Sequence, residues 1–226
     1  MFPIGDDRSP GGPAPLITLG LVVLNVLVFL FELSQPSNGA LQSFIQAWGV
    51  VPREYKVGQD LAPTIPLPFW STLITSMFLH GGWMHLGGNM LYLWIFGDNI
   101  ERAMGHARFL LFYLACGIAA GLAHILFSGA SNVPTVGASG AISGVLGGYL
   151  VLFPQNRVRV LTRAGVVAMP AIAVLGFWIL IQLVNGLGSL GVTANTGGVA
   201  YMAHVGGFVA GLVLVKLLAT RQPSLI

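Results

Sequence analysis

The chain has 226 residues, of which 55% are hydrophobic and 8% charged, with a formal net charge of +3, and its mean hydropathy is +0.81. Such a composition excludes an ordinary soluble globular domain. So small a charge asks for no nucleic-acid partner; the partner it implies is the lipid bilayer itself.

Residues 1 to 14 read as a short tail. Asp6 and Asp7 precede Arg8, and no small-residue cleavage site follows the first apolar run, so that run is expected to remain as a span and not to leave as a signal peptide. Apolar runs fall at 15–33, 82–96, 107–127, 139–153, 166–184 and 200–218. Each is about the length that crosses a hydrocarbon core roughly 30 Å thick, which predicts six transmembrane helices and an all-α membrane fold. One domain is expected over 1–226, with a long outer loop at 34–66 and a core at 70–218. Within that loop Leu41, Phe44, Ile45 and Trp48 follow the i, i+3, i+4, i+7 spacing of a helix with one apolar face, expected to lie in the membrane surface. Pro63, Pro66 and Pro68 predict an extended stretch that ends at Trp70. The loops at 128–136 and 185–199 carry no charge, and the lone Cys116 excludes an internal disulfide and suits packing.

An even number of spans puts both termini on one side. Arg8, Arg102, Arg108, Arg157, Arg159, Arg163, Lys216 and Arg221 lie on that side, against Arg53 and Lys56 on the other. This bias predicts cytoplasmic termini. Spans two, four and six then run inward, and the polar residues at their starts share the outer part of the membrane: His80, His85 and Asn89 in the second, Ser139 in the fourth, His204 in the sixth.

Intramembrane polar side chains are costly and therefore candidates for function. Gly140, Gly144 and Gly148 repeat every four residues in span four, as Ala203, Gly207 and Gly211 do in span six, which predicts two small-residue faces in close contact. Ser139 and His204 each stand one position before the first small residue of their face, so the two are expected at one level, within hydrogen-bond reach. Span four is short, from Gly137 to Phe153 before Pro154, and should leave room for water above Ser139. His85 and Asn89 are four apart and share a helix face, whereas His80 lies off it unless Gly81 and Gly82 turn the chain.

Other chemistries fit less well. A zinc protease needs H-E-x-x-H, but Gly81, Gly82, Trp83 and Met84 separate two histidines five apart, so no metal is expected. An aspartyl mechanism needs paired carboxylates, and Asp98 is the one Asp near a span. A nucleophile elbow needs a strand before G-x-S-x-G, while Gly137-Ala138-Ser139-Gly140-Ala141 sits in a helical pattern. Spans five and six contain no acid, so a serine enzyme here would use a Ser-His pair without a carboxylate. A transporter lined by His80, His85 and His204 is the competitor from another class, disfavoured by the missing carboxylates and by the lack of a repeat between halves. His124 reads as an interhelical hydrogen-bonding residue, and His106 as a solvated loop residue.

The ordered set of Trp70, Thr75-Ser76-Met77-Phe78-Leu79-His80, His85 and Asn89, Gly97-x3-Glu101-x3-Gly105, Gly137-Ala138-Ser139-Gly140 and Ala203-His204-x2-Gly207-x3-Gly211 resembles the rhomboid intramembrane serine proteases. The resemblance implies a six-span rhomboid-like bundle with a membrane-associated first outer loop around Trp48. It implies Ser139 as nucleophile, His204 as general base, and an oxyanion hole from His85, Asn89 and the Ser139 backbone N–H, with His80, Gly137, Gly140, Gly207 and Gly211 in support. Glu101 and Arg102 would order the loop after span two. Phe177, Trp178 and Gln182 of span five would mark the side where substrate helices are admitted. The implied partners are transmembrane protein substrates with helix-weakening residues and a small residue before the scissile bond; no cofactor is implied, and oligomeric state is not. A bacterial or archaeal plasma membrane suits what reads as a minimal form without a seventh span or an N-terminal soluble domain. An inactive rhomboid-like helix-binding protein is the alternative, against which the presence of both Ser139 and His204 speaks. Many members carry an aromatic residue four after the nucleophile, packed on the catalytic histidine, where this chain has Ser143. Some members also have Arg after the tryptophan, where Ser71 and Thr72 follow Trp70 here.

Overall fold

The computed structural model describes residues 2–7, 14–189 and 199–220. Arg8, Arg221 and most of the expected loop at 185–199 lie outside them. A helical membrane bundle forms the body. Its long helices are α1 (Leu16–Leu33), α5 (Trp83–Met104), α6 (His106–Phe127), α7 (Ser139–Leu152), α8 (Ala171–Ser189) and α9 (Tyr201–Leu218). Among the described residues α1, α6, α8 and α9 are long and apolar enough to cross a membrane. The helix α7 has 14 residues, about 21 Å at helical rise, shorter than the sequence reading gave it. The helix α5 runs past its apolar run because Asp98, Asn99 and Glu101 at its far end are buried.

The long connection after α1 holds the expected amphipathic helix, α2 (Asn38–Trp48), capped by the Ser37 hydroxyl, which accepts from the Ala40 N–H. Phe44 of α2 meets Phe31 of α1 at a ring-centroid distance of 5.5 Å. A short helix α3 (Pro52–Val57) follows. Between α2 and α3, Val50 exchanges backbone hydrogen bonds of 3.0 and 2.8 Å with Thr135, so the first loop is tied to the segment that leads into α7. The stretch with Pro63, Pro66 and Pro68 gives way at Phe69–Ser71 to a helical turn, so Trp70 lies in that turn, followed by the short helix α4 (Thr72–Thr75).

At the core α7 packs parallel to α9 and antiparallel to α6, with backbone against backbone. A Cβ built on Gly207 would come 2.1 Å from the Gly140 carbonyl oxygen, and one on Gly211 would come 2.0 Å from that of Gly144. The same construction puts Gly140 2.6 Å from the Ala120 Cβ and Gly144 2.3 Å from the Cys116 Cβ. Gly148, the last of the predicted repeat, faces Phe112 and Val215 instead. The small-residue faces thus do meet, and Cys116 is buried packing.

Two features at the arginine-bearing end differ from the sequence reading. The expected tail contains a strand, β1 (Phe2–Asp6), and the expected start of span five is a strand as well: β2 (Arg157–Thr162) and β3 (Gly165–Pro170) form a hairpin. The sheet order is β1-β2-β3, antiparallel throughout. In β2 the arginines alternate with Val158 and Val160, both fully buried, which is strand periodicity. Hydropathy alone merges Val166 and Val167 with the helix that starts after Pro170. The Asp6 carboxylate docks β1 on the bundle, accepting from Asn99 Nδ2 at 2.8 Å and the Tyr149 hydroxyl at 2.5 Å.

The other feature is Glu101. Its carboxylate accepts from the backbone N–H of Ile17 (2.9 Å) and of Thr18 (2.7 Å) and from the Thr18 hydroxyl (2.7 Å), and so caps the N-terminus of α1 from a different helix. Those N–H groups have no partner within their own helix, and a negative charge there also complements the helix dipole. His106 is not simply solvated, since its Nδ1 lies 2.6 Å from Glu101 Oε1.

Gly211→Ala should lower the thermal midpoint in detergent, at a cost of about 1–3 kcal/mol for overpacking, while Gly87→Ala, whose Cβ would meet nothing within 4 Å, should leave it unchanged. Asp6 supplies a pH test. Burial is the largest influence and raises its pKa from 3.8 to about 6, against the hydrogen bond from Tyr149 and with the charge of Asp98. A carboxyl raised by folding contributes stability that is complete below the unfolded pKa and lost as pH rises through the folded one. Thermal midpoints measured from about pH 4 to 7 should therefore contain a falling component that Asp6→Asn removes.

Candidate active site

The segment before α7 turns sharply. Gly137 has φ of +123°, a conformation that L side chains rarely adopt, and its N–H donates to the Ser76 carbonyl at 2.8 Å. A Cβ at Gly137 would also come 2.7 Å from the His85 imidazole. The chain then enters α7 with Ser139 as its first residue, so the Ser139 N–H belongs to the first helical turn and has no intrahelical acceptor. From α9, His204 in the first turn reaches across the glycine contact. Its Nε2 lies 2.8 Å from Ser139 Oγ.

The other polar residues gather on the same side. His80 precedes α5, with Gly82 at φ of +153° as the turn, and its ring packs edge-on to His85 at 5.1 Å. The sequence of hydrogen bonds fixes the protons. His80 Nδ1 faces the Phe78 carbonyl at 3.3 Å and must donate, which leaves Nε2 to accept from Asn89 Nδ2 at 3.0 Å. The Asn89 amide is thereby oriented, with a second N–H on the same nitrogen. His85 Nδ1 accepts from the Gly81 N–H at 3.3 Å, so its proton sits on Nε2, the atom beside Gly137. Two side-chain N–H donors and the Ser139 N–H thus border one region.

That region is a cavity of about 1200 Å³ whose lining includes Ser139, His204, His85, Asn89, His124 and Trp178. With a share of liquid volume of about 30 Å³ per water, it has room for many. Among the described residues no group of His, Cys, Asp and Glu is arranged to hold a metal ion.

Residues 68–221 match the rhomboid domain family model. GluP, a rhomboid protease of Bacillus subtilis (strain 168), is 40% identical over 123 residues, covering 54% of this chain and 24% of the relative. YdcA, a candidate rhomboid protease of the same strain, is 30% identical over 210 residues, 92% of this chain and 90% of its own length. Mitochondrial rhomboid protein 1 of Saccharomyces cerevisiae (strain ATCC 204508 / S288c) is 31% identical over 146 residues, 63% of this chain and 40% of the relative. The chain belongs to the rhomboid family. It spans about a quarter of the length of GluP and two fifths of that of the yeast protein.

Within this rhomboid bundle Gln182, Ser143, Trp178 and His124 have neighbours that the sequence did not specify. Gln182, assigned by resemblance to the side that admits substrate, is buried and points inward: its Oε1 lies 2.8 Å from His204 Nδ1. The pair of Ser139 and His204 therefore has a third neighbour, an amide and not an acid. Ser143 is 1% exposed and donates its hydroxyl to the Ser139 carbonyl at 2.6 Å, the back-bonding habit of helical serine. It offers nothing to the imidazole, and Trp178 of α8 packs on His204 instead, with centroids 5.9 Å apart and planes at 35°. His124 bonds to the hydroxyls of Ser128 and Thr135, from its own helix end and the following loop, and not across helices. Glu32 also supports the site. It accepts from the His80 N–H at 3.0 Å and pins the turn before α5, and as the one acid inside the first apolar run it carried a visible signal.

Proposed function

We propose that this chain is an intramembrane serine endopeptidase that cleaves transmembrane or juxtamembrane segments of other membrane proteins near the outer face, with both termini in the cytoplasm. The observation that carries the reading is the 2.8 Å separation of His204 Nε2 from Ser139 Oγ beside a roomy cavity that His85 and Asn89 also line. A hydroxyl so placed is deprotonated as it attacks.

Ser139 Oγ attacks the scissile carbonyl carbon while its proton moves to His204 Nε2. The carbonyl oxygen takes up the negative charge and is met by the N–H groups of His85, Asn89 and Ser139, donors fixed before the reaction and set at the positive end of α7. Collapse breaks the C–N bond, and the imidazolium returns its proton to the leaving amine. Water then repeats the sequence on the ester, with His204 taking its proton, and Ser139 leaves with a proton restored. Gly137 keeps the space beside His85 free of a side chain, Gly140, Gly207 and Gly211 bring α7 and α9 together, and His80 orients Asn89. A bond inside an intact helix is out of reach of Oγ, so substrates should carry Gly or Pro that weakens the helix near the cut.

Purified protein incubated with a reporter transmembrane substrate tests this. Ser139→Ala and His204→Ala should each lose at least about 1000-fold in rate, and Asn89→Ala about 100- to 1000-fold. Cleavage by Ser139→Ala at the wild-type rate would contradict the mechanism, and a folded wild type that binds helices without cutting them would make the chain an inactive relative.

A further inference from the structure

We infer that Gln182 is a positioning residue of the Ser139 and His204 pair, selecting the imidazole tautomer whose Nε2 is free to take the serine proton. This rests on the protease reading above. The amide oxygen Oε1 can only accept, so at 2.8 Å it requires the ring proton on Nδ1. A neutral imidazole protonated there has its lone pair on Nε2, and the Ser139 hydroxyl must donate along the 2.8 Å contact. With the amide oriented oxygen-first, as it is here, the opposite tautomer would set the Nδ1 lone pair against the oxygen of Gln182 and aim an N–H at the serine, the wrong way for a base.

Placement on α8 supports the assignment. That helix turns Phe177, Leu180, Ile181, Leu183 and Val184 outward, an apolar surface suited to lipid. Gln182 is nevertheless polar and buried, and an amide within a membrane helix is costly unless its hydrogen bond is used. Trp178 lies one helical turn before it and packs on the same imidazole. The Ser143 hydroxyl turns back to its own helix, and these two contacts from α8 hold the ring. The fitness of His204 as a base thus depends on α8 staying seated against α9.

The test compares steady-state kcat and KM, together with thermal midpoints, for the full chain and four variants on one reporter transmembrane substrate. Gln182→Met keeps the volume and removes the acceptor; Gln182→Asn keeps an amide but shortens its reach, and decides the matter if the Met variant is unstable. Gln182→Glu restores an acceptor of the same length. The Met and Asn variants should lose about 10- to 100-fold in kcat with KM within about twofold, and the Glu variant should recover to within about threefold of wild type. Met and Asn variants within twofold of wild-type kcat, or a Glu variant as impaired as they are, would overturn the role of Gln182. Ser139→Ala separates the two ideas: activity in that variant defeats the protease reading itself, whereas its silence beside an active Met variant defeats only this inference.

Discussion

The proposed site depends on how closely α7 and α9 approach. Two helices whose contact residues carry side chains sit about 8–10 Å apart, whereas glycines at the contact let α7 and α9 meet backbone to backbone, which sets the level at which Ser139 and His204 face each other. Here Gly207 and Gly211 rest against the carbonyls of Gly140 and Gly144, and a single methyl group has no space at either point. The proposed pair is the first polar layer above this contact. Packing between small residues is an ordinary way for membrane helices to associate; in this chain the same packing brings a hydroxyl to a nitrogen.

The rest of the bundle holds that contact in register. Glu101 ties α1 to α5 by capping a helix it does not belong to, and the docked Asp6 joins the three-stranded sheet to α5 and α7. At the other end the exchange between Val50 and Thr135 holds the first loop to the segment that leads into α7. The helix α8 is joined less broadly and is the least buried of the four helices apolar enough to cross, yet it supplies Gln182 and Trp178 to His204. Deeply and shallowly buried elements therefore meet at one imidazole.

Much of this was legible in the sequence because the decisive signals are local or periodic. The glycine repeats foretold the α7 and α9 contact, and the spacing of Leu41, Phe44, Ile45 and Trp48 foretold α2. What escaped had physical reasons. The alternation of Arg157, Val158, Arg159 and Val160 is a strand signal only a few residues long, and a hydropathy reading of the next run absorbs Val166 and Val167 into a helix. The partner of Gln182 is 22 positions away and on another helix, so its burial could not be read from neighbours. Glu101 caps Ile17 and Thr18 from more than 80 positions along the chain, a relation no local pattern records.

The most direct measurement is to treat the folded protein with a fluorophosphonate and locate the adduct by peptide mass spectrometry. Phosphonylation of Ser139 is expected, and it should disappear in His204→Ala, since activation needs the hydroxyl beside Nε2. An adduct on Ser143, or equal labelling of Ser139 without His204, would contradict it.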